Sequence, residues 1–338
     1  MRKSLALALV VSTLAGLAAC GGSSGSLKDQ SRAAMPTKDA VAMGSPKASS
    51  IARQQGGSGI QQDSIARDDA AGTPSPWFGA TVFFAANVNV GAAWVLDLIQ
   101  AITQLEPTRC DATSCTWGPG SGPFDYNAFE LVVTKNGDAF DYVLSAQPKS
   151  QPTGAFIPYL SGSATPGAQP HHGSGNFTID FDAAARLDHP HGDVGKLAMT
   201  YTNVGPLQIN ATFTGVKDTD HSNTLNNVVY AYTNDATGGG DMALAVHNTT
   251  SDARFSLHSR WKNDGEGRGD VNGSGHDASS GNPYNVSVSE CWATAPFNVV
   301  FFTSTAKSFV ITGLAGPDSG DQAQCAYPTA APVTTQAP

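Results

Sequence analysis

From residue 129 onward the chain alternates apolar and polar positions with a period of two. "FELVVTKNGDAFDYVL" sets Phe129, Leu131 and Val133 against polar or smaller neighbours, pauses at Asn136-Gly137, and resumes with Phe140, Tyr142 and Leu144. Asn-Gly between two alternating runs predicts a tight hairpin, because a type I′ turn needs positive φ at both central residues. The alternation returns in "NFTIDFD" (176–182), "KLAMTYT" (196–202), "LQINATFTG" (207–215) and "NVVYAYT" (227–233), then in "MALAVHN", "RFSLHSRW", "NVSVSECW", "NVVFFTS" and "FVITG". Roughly a dozen strands without intervening helices predict an antiparallel meander with one wet face. Open sheets rarely exceed about ten strands without curling, so the expected fold is mainly β: a barrel or half-barrel, with a β-sandwich as the alternative. One helix precedes the strands. Val88, Gly91, Val95, Leu98, Ile99, Ile102 and Leu105 recur at steps of three and four, with Asn87 or Asn89 as the start and Pro107 as the stop.

The first nineteen residues follow a different pattern. Arg2 and Lys3 lead into an apolar run, Leu5 to Ala19, too short to cross about 30 Å of hydrocarbon. This predicts a signal peptide over 1–19. Leu17-Ala18-Ala19-Cys20 resembles the lipobox of bacterial lipoproteins. The resemblance implies cleavage before Cys20, a diacylglycerol on its sulfur and a palmitate-like fatty acid on its amino group. It makes the membrane the first partner and the cell envelope the location. Gly21 stands where inner-membrane retention signals commonly carry Asp, which points to the outer membrane. Each buried methylene adds roughly 0.8 kcal/mol, so several acyl chains hold almost permanently.

Residues 21–75 contain no Phe, Trp or Tyr. Such a segment buries too little apolar surface to offset its ordering entropy, so 20–75 reads as a lipidated, disordered tether with a reach of about 40 Å. Aromatics begin at Trp77, and 76–328 reads as a single β-rich domain, followed by a disordered tail over 329–338. Loss of Arg2 and Lys3 with the signal takes the formal charge from −9 to −11. An acidic chain without a basic run is not built for nucleic acid, and it must be held to anionic membranes by lipid rather than charge.

Four further cysteines enter an oxidising compartment: Cys110, Cys115, Cys291 and Cys325. Of three pairings, Cys110–Cys115 with Cys291–Cys325 is expected; a zinc site lacks a matching pair for the C-x4-C spacing. A calcium loop is the leading metal candidate. Asp270, Asn272 and Ser274 fall at alternate positions of a Gly-rich stretch, with Asp264 and Asp277 near, although Gly281 stands where a bidentate acid is needed. The competing reading is a polar hairpin loop. His171, His172, His189 and His191 form two loop pairs that would bind Zn2+ or Cu2+ with Asp188 or Asp193 if they met. No nucleophile elbow, P-loop, dinucleotide fingerprint or zinc-protease helix occurs in the domain, so a non-enzymatic role is expected.

Arg260-Trp261, Gly267-Arg268-Gly269-Asp270 and Glu290-Cys291-Trp292, with Trp117-Gly118-Pro119 after the helix, resemble uncharacterised bacterial lipoproteins whose β-rich domain carries RW…GxGRxD…ECW. The resemblance implies an architecture and no activity. Arg268 with Asp270 or Glu290 is expected to form an ion pair that locks a hairpin. Phe177, Ile179, Phe181, Met199 and Tyr201 suggest a surplus of inward apolar side chains, and hence a binding or carrier module for an apolar ligand or lipid. The alternatives are a surface adhesion or structural module and, less supported, a β-fold hydrolase.

Overall fold

A computed structural model describes residues 26–46, 71–121, 125–188, 194–217, 224–235, 237–277, 280–306, 315–333 and 337. The signal segment and Cys20 lie outside the described residues, as do His189, His191, Asp193 and "FVITG". The chain is mainly β. Among the described residues fifteen antiparallel strands form one open sheet in strict sequence order. They are β1 (Arg109–Cys110), β2 (Ser114–Gly120), β3 (Asn127–Asn136), β4 (Ala139–Pro148), β5 (Ile157–Pro166), β6 (Gly173–Asp180), β7 (Lys196–Thr202) and β8 (Gln208–Lys217). The second half comprises β9 (Leu225–Asn234), β10 (Gly240–Asn248), β11 (Arg254–Trp261), β12 (Gly267–His276), β13 (Pro283–Trp292), β14 (Val299–Ser304) and β15 (Ser319–Gly320). The hairpin between β3 and β4 forms where expected, but its two-residue loop is Gly137-Asp138, one position later than Asn136-Gly137: Asn136 still pairs with Ala139, and of these residues Gly137 alone takes a positive φ, 61°.

The period of two decides what each face does. Leu131, Val133, Tyr142, Leu144, Phe177, Ile179, Met199, Ile209, Tyr230, Met242, Leu257 and Val288 point to one side and form a single buried cluster. Bulky rings on this side lie over glycines of the neighbouring strand. Gly162 leaves room for Tyr142, Gly175 for Tyr201, Gly240 for Trp261 and Gly267 for Trp292. A Cβ at Gly267 would stand 2.6 Å from the Trp292 ring, so the glycine and tryptophan of the sequence motif are one packing unit.

The buried face wraps a helix, α2 (Pro76–Gln104), of 29 residues. It starts earlier than the expected cap at Asn87 or Asn89. The Ser75 hydroxyl accepts the Phe78 N–H and Pro76 holds the first helical position, a start signal hidden among the aromatics. One end of α2 meets β13 through Glu290, and the other meets β2, where Trp117 Nε1 donates to the Leu105 carbonyl at 3.0 Å. From β2 to β13 is about 53 Å along a flat sheet, while the helix spans about 43 Å. The sheet therefore curls around its helix. Among the described residues no helix is long and apolar enough to cross a membrane.

Two segments expected to be disordered are built into the domain. Residues 26–46 carry α1 (Leu27–Ala34), capped by the Ser26 side chain on Asp29 N, and a short 3-10 turn over Asp39–Val41. Met35, Val41 and Met43 supply the apolar burial that aromatics were expected to supply. At the other end, residues 327–333 lie along the outer face of β11 and β12. Another difference concerns Phe181. The strand ends at Asp180, which caps a one-turn helix, α3 (Phe181–Ala184), so Phe181 belongs to a helix rather than a strand and packs, half-buried, against the core cluster.

Candidate functional site

The segment 26–46 runs antiparallel to α2 and threads between it and one rim of the sheet. Toward α2, Lys28 pairs with Glu106 at 3.0 Å, Arg32 donates to the Leu105 carbonyl at 2.7 Å, and Lys38 pairs with Asp97 at 3.0 Å. Arg32 also donates to the Thr103 carbonyl, so a cation sits on the last carbonyls of the helix, at the negative end of its dipole. Further on, the Asn89 amide accepts Met43 N at 2.8 Å and donates to Met43 O at 3.0 Å. Toward the rim, contacts fall on alternate hairpins in chain order. Lys135 donates to Gln30, His171 faces the Met35 carbonyl, Asn203 donates to Ala40 O, and Gly44 N donates to the Tyr232 hydroxyl.

Between this strap, α2 and the sheet lies a recess of about 110 Å³, lined in its apolar part by Val41, Met43, Val88, Leu96, Met199 and Ile209. On the same face α2 buries Trp77, Phe78, Ala85, Leu96 and Ile99. Burial also pushes the Tyr142 and Tyr230 phenols well above their ordinary pKa, so both remain neutral.

The sequence motif divides its labour across the sheet. On the inner side Glu290, fully buried, accepts the Ser75 hydroxyl and the Trp77 N–H at 3.3 Å, setting a carboxylate against the positive end of α2. On the outer side Arg268 Nε donates to Asp270 at 2.9 Å, and both side chains are almost fully buried. Asp270 also accepts the Ser289 hydroxyl at 2.7 Å and Ala331 N at 2.8 Å, while Arg260 stands 3.5 Å away. Arg268 donates to the carbonyls of Tyr327 and Pro328, and Arg260 to that of Thr329. His258 holds Asp241 at 2.7 Å and the Pro332 carbonyl at 3.1 Å. The Asp241 contact raises the His258 pKa above its usual value against the opposing effect of burial. The Cys291–Cys325 disulfide ties the start of this segment to β13, and Cys110–Cys115 closes the β1–β2 hairpin. The partner of Arg268 is therefore Asp270, not Glu290, and the pair holds the C-terminal segment rather than a hairpin.

The Gly-rich stretch, read as a polar hairpin loop or a calcium loop, is for the most part a strand, β12. Asp270, Asn272 and Ser274 sit at alternate positions of β12, with about 13 Å of extended strand from first to last, too far for all three to converge on one ion, and Asp270 already accepts from Arg268, Ser289 and Ala331. Asn272 accepts from Ser287, and Asp277 caps the following turn through Ser280 N at 2.7 Å. His171 and His172 belong to the β5–β6 turn, whereas Asp188 lies beyond the far end of β6, accepting from Ser150. About 27 Å of strand separates those two ends. Among the described residues no group of three His, Cys, Asp or Glu side chains is placed to hold a metal. Compared with protein-family models, curated proteins and solved structures, the chain matches none.

Proposed function

We propose that this protein is a lipid-anchored, non-enzymatic module of the cell envelope, adhesive or structural, that acts through its surface. The observation that carries this reading is the occupied concavity. α2 crosses the apolar face from β13 to β2 with Trp77, Leu96 and Ile99 buried, and the strap 26–46 closes the space beside it. The buried polar groups described above grip chain segments: Glu290 the start of α2, Asp270 and Arg268 the C-terminal segment. Anchoring rests on Cys20 and its lipobox resemblance, and an outer-membrane location on Gly21.

A second reading, a carrier for an apolar ligand, draws on the recess beneath Val41 and Met43. At about 110 Å³ it falls below the 300–1,000 Å³ of ordinary ligand pockets, so an acyl chain would enter only if the strap lifted. Native mass spectrometry of gently purified protein separates the two. The surface-acting reading expects the mass of the mature chain with its covalent anchor and two disulfides and nothing more; a further, non-covalent lipid that organic solvent strips off favours the carrier.

A further inference from the structure

We infer that the docked strap converts a long tether into a short one and presses one rim of the domain against the bilayer. The inference rests on the proposed lipidation of Cys20. Six positions separate Cys20 from Ser26, where the described strap begins. At no more than about 3.5 Å per residue they reach about 21 Å. Were 26–46 free, the tether would run to residue 71, with an r.m.s. reach of about 40 Å. The docking contacts of Arg32, Met35, Val41 and Met43 thus decide how far the domain stands from its anchor.

The same contacts decide which end faces the membrane. α1 lies beside the β1–β2 and β3–β4 hairpins and the C-terminal end of α2. Leu105, at that end, is 64% exposed, an apolar side chain placed where the anchor emerges. Around it Lys28, Arg32, Arg109 and Lys135 balance Asp29, Glu106, Asp111 and Asp138. At this corner of the rim those cations offset every nearby carboxylate but Asp141, so approach to anionic headgroups meets less repulsion than the net charge of the whole chain would give. The hairpins at the opposite ends of the strands, including the β4–β5 turn at Gln151 and the β10–β11 turn at Ser251, point away from the membrane and are the ones offered to a partner. The partner of the near rim is the lipid bilayer itself.

The experiment uses full-length protein carrying Leu105→Cys or Ser251→Cys, labelled with a fluorophore and reconstituted in phosphatidylethanolamine–phosphatidylglycerol vesicles containing headgroup-nitroxide lipid. The label at 105 is expected to lose most of its emission and the label at 251 to keep it. Equal emission from both, in protein whose mass shows the lipid on Cys20, overturns the inference and leaves the anchor standing. Absence of that lipid, with Cys20→Ser unchanged in vesicle binding, removes the anchor and the inference together. A Met35→Asp/Val41→Asp variant, which frees the strap, is expected to restore emission at 105. Persisting quenching there would show that the rim binds without the short tether, against the inference.

Discussion

Arg268 and Asp270 face each other from alternate positions of one strand, 2.9 Å apart and almost fully buried, beneath a segment some sixty residues further along the chain. A buried pair of this kind adds little net stability against an apolar substitute, yet removing one partner leaves an uncompensated charge. Arg268→Ala is therefore expected to cost roughly 3–5 kcal/mol in urea unfolding. An unchanged midpoint would contradict the locking role.

His258 makes the hold of the same segment pH-dependent. As a cation its ring donates to both Asp241 and the Pro332 carbonyl; as a neutral imidazole it has one N–H for the two. Its folded pKa is raised, so its stabilisation is fully present below about pH 6.5 and is lost as pH rises through the raised value. The stability advantage of the natural protein over His258→Gln should be larger at about pH 5.5 than at about pH 8.5, read from thermal melts. An advantage independent of pH would exclude this switch.

The glycine beneath Trp292 offers no slack. Gly267→Ala places a methyl 2.6 Å from a rigid ring held by Nε1–H donation to the Gly265 carbonyl. Overpacking of this sort typically costs about 1–3 kcal/mol. Gly137→Ala is strained only through its positive φ, with open space around it, and should cost less. Parallel denaturation of the two variants compares the effects; the reverse ranking would show that both the Trp292 ring and the Arg260 carbonyl, which a Cβ at 267 also meets, give way.

The disulfides should differ in weight. Loop-closure entropy assigns the Cys291–Cys325 ring, with its separation of 34, about 4 kcal/mol and the Cys110–Cys115 ring, with 5, about 2. A Cys291→Ser/Cys325→Ser variant should lose the most stability and expose residues 327–333 to proteolysis first. Equal losses would mean that Arg268, Asp270 and Arg260 hold the segment unaided.

How far the sequence revealed this depended on the kind of signal. The period-two alternation from Phe129 onward gives the meander and its inner face, because one side of every strand is buried and the register leaves no second choice. Asn136-Gly137 marks the hairpin but not its exact loop, which falls on Gly137-Asp138 because Asn136 stays in the ladder opposite Ala139. The strap escaped detection because Met35, Val41 and Met43 are scattered in a polar stretch and their burial depends on partners more than forty residues away, Asn89 and Ile209 among them. The Ser26-x-x-Asp29 cap was the local clue. Asp270, Asn272 and Ser274 have the composition of an ion-binding loop and the spacing of a strand. Only the cross-strand register, which sets Asp270 beside Ser289 and under Ala331, separates the two.

The central claim is that α2 and the strap occupy the concavity as permanent parts of the fold. Hydrogen exchange of the backbone amides of α2 and of residues 27–43, with and without a short-chain phospholipid, tests it most directly. The account predicts slow exchange in α2, protection through the strap, and no change on adding the phospholipid. Faster exchange in either segment when the phospholipid is present would mean that the concavity opens to an apolar ligand, and the surface-acting reading would fall.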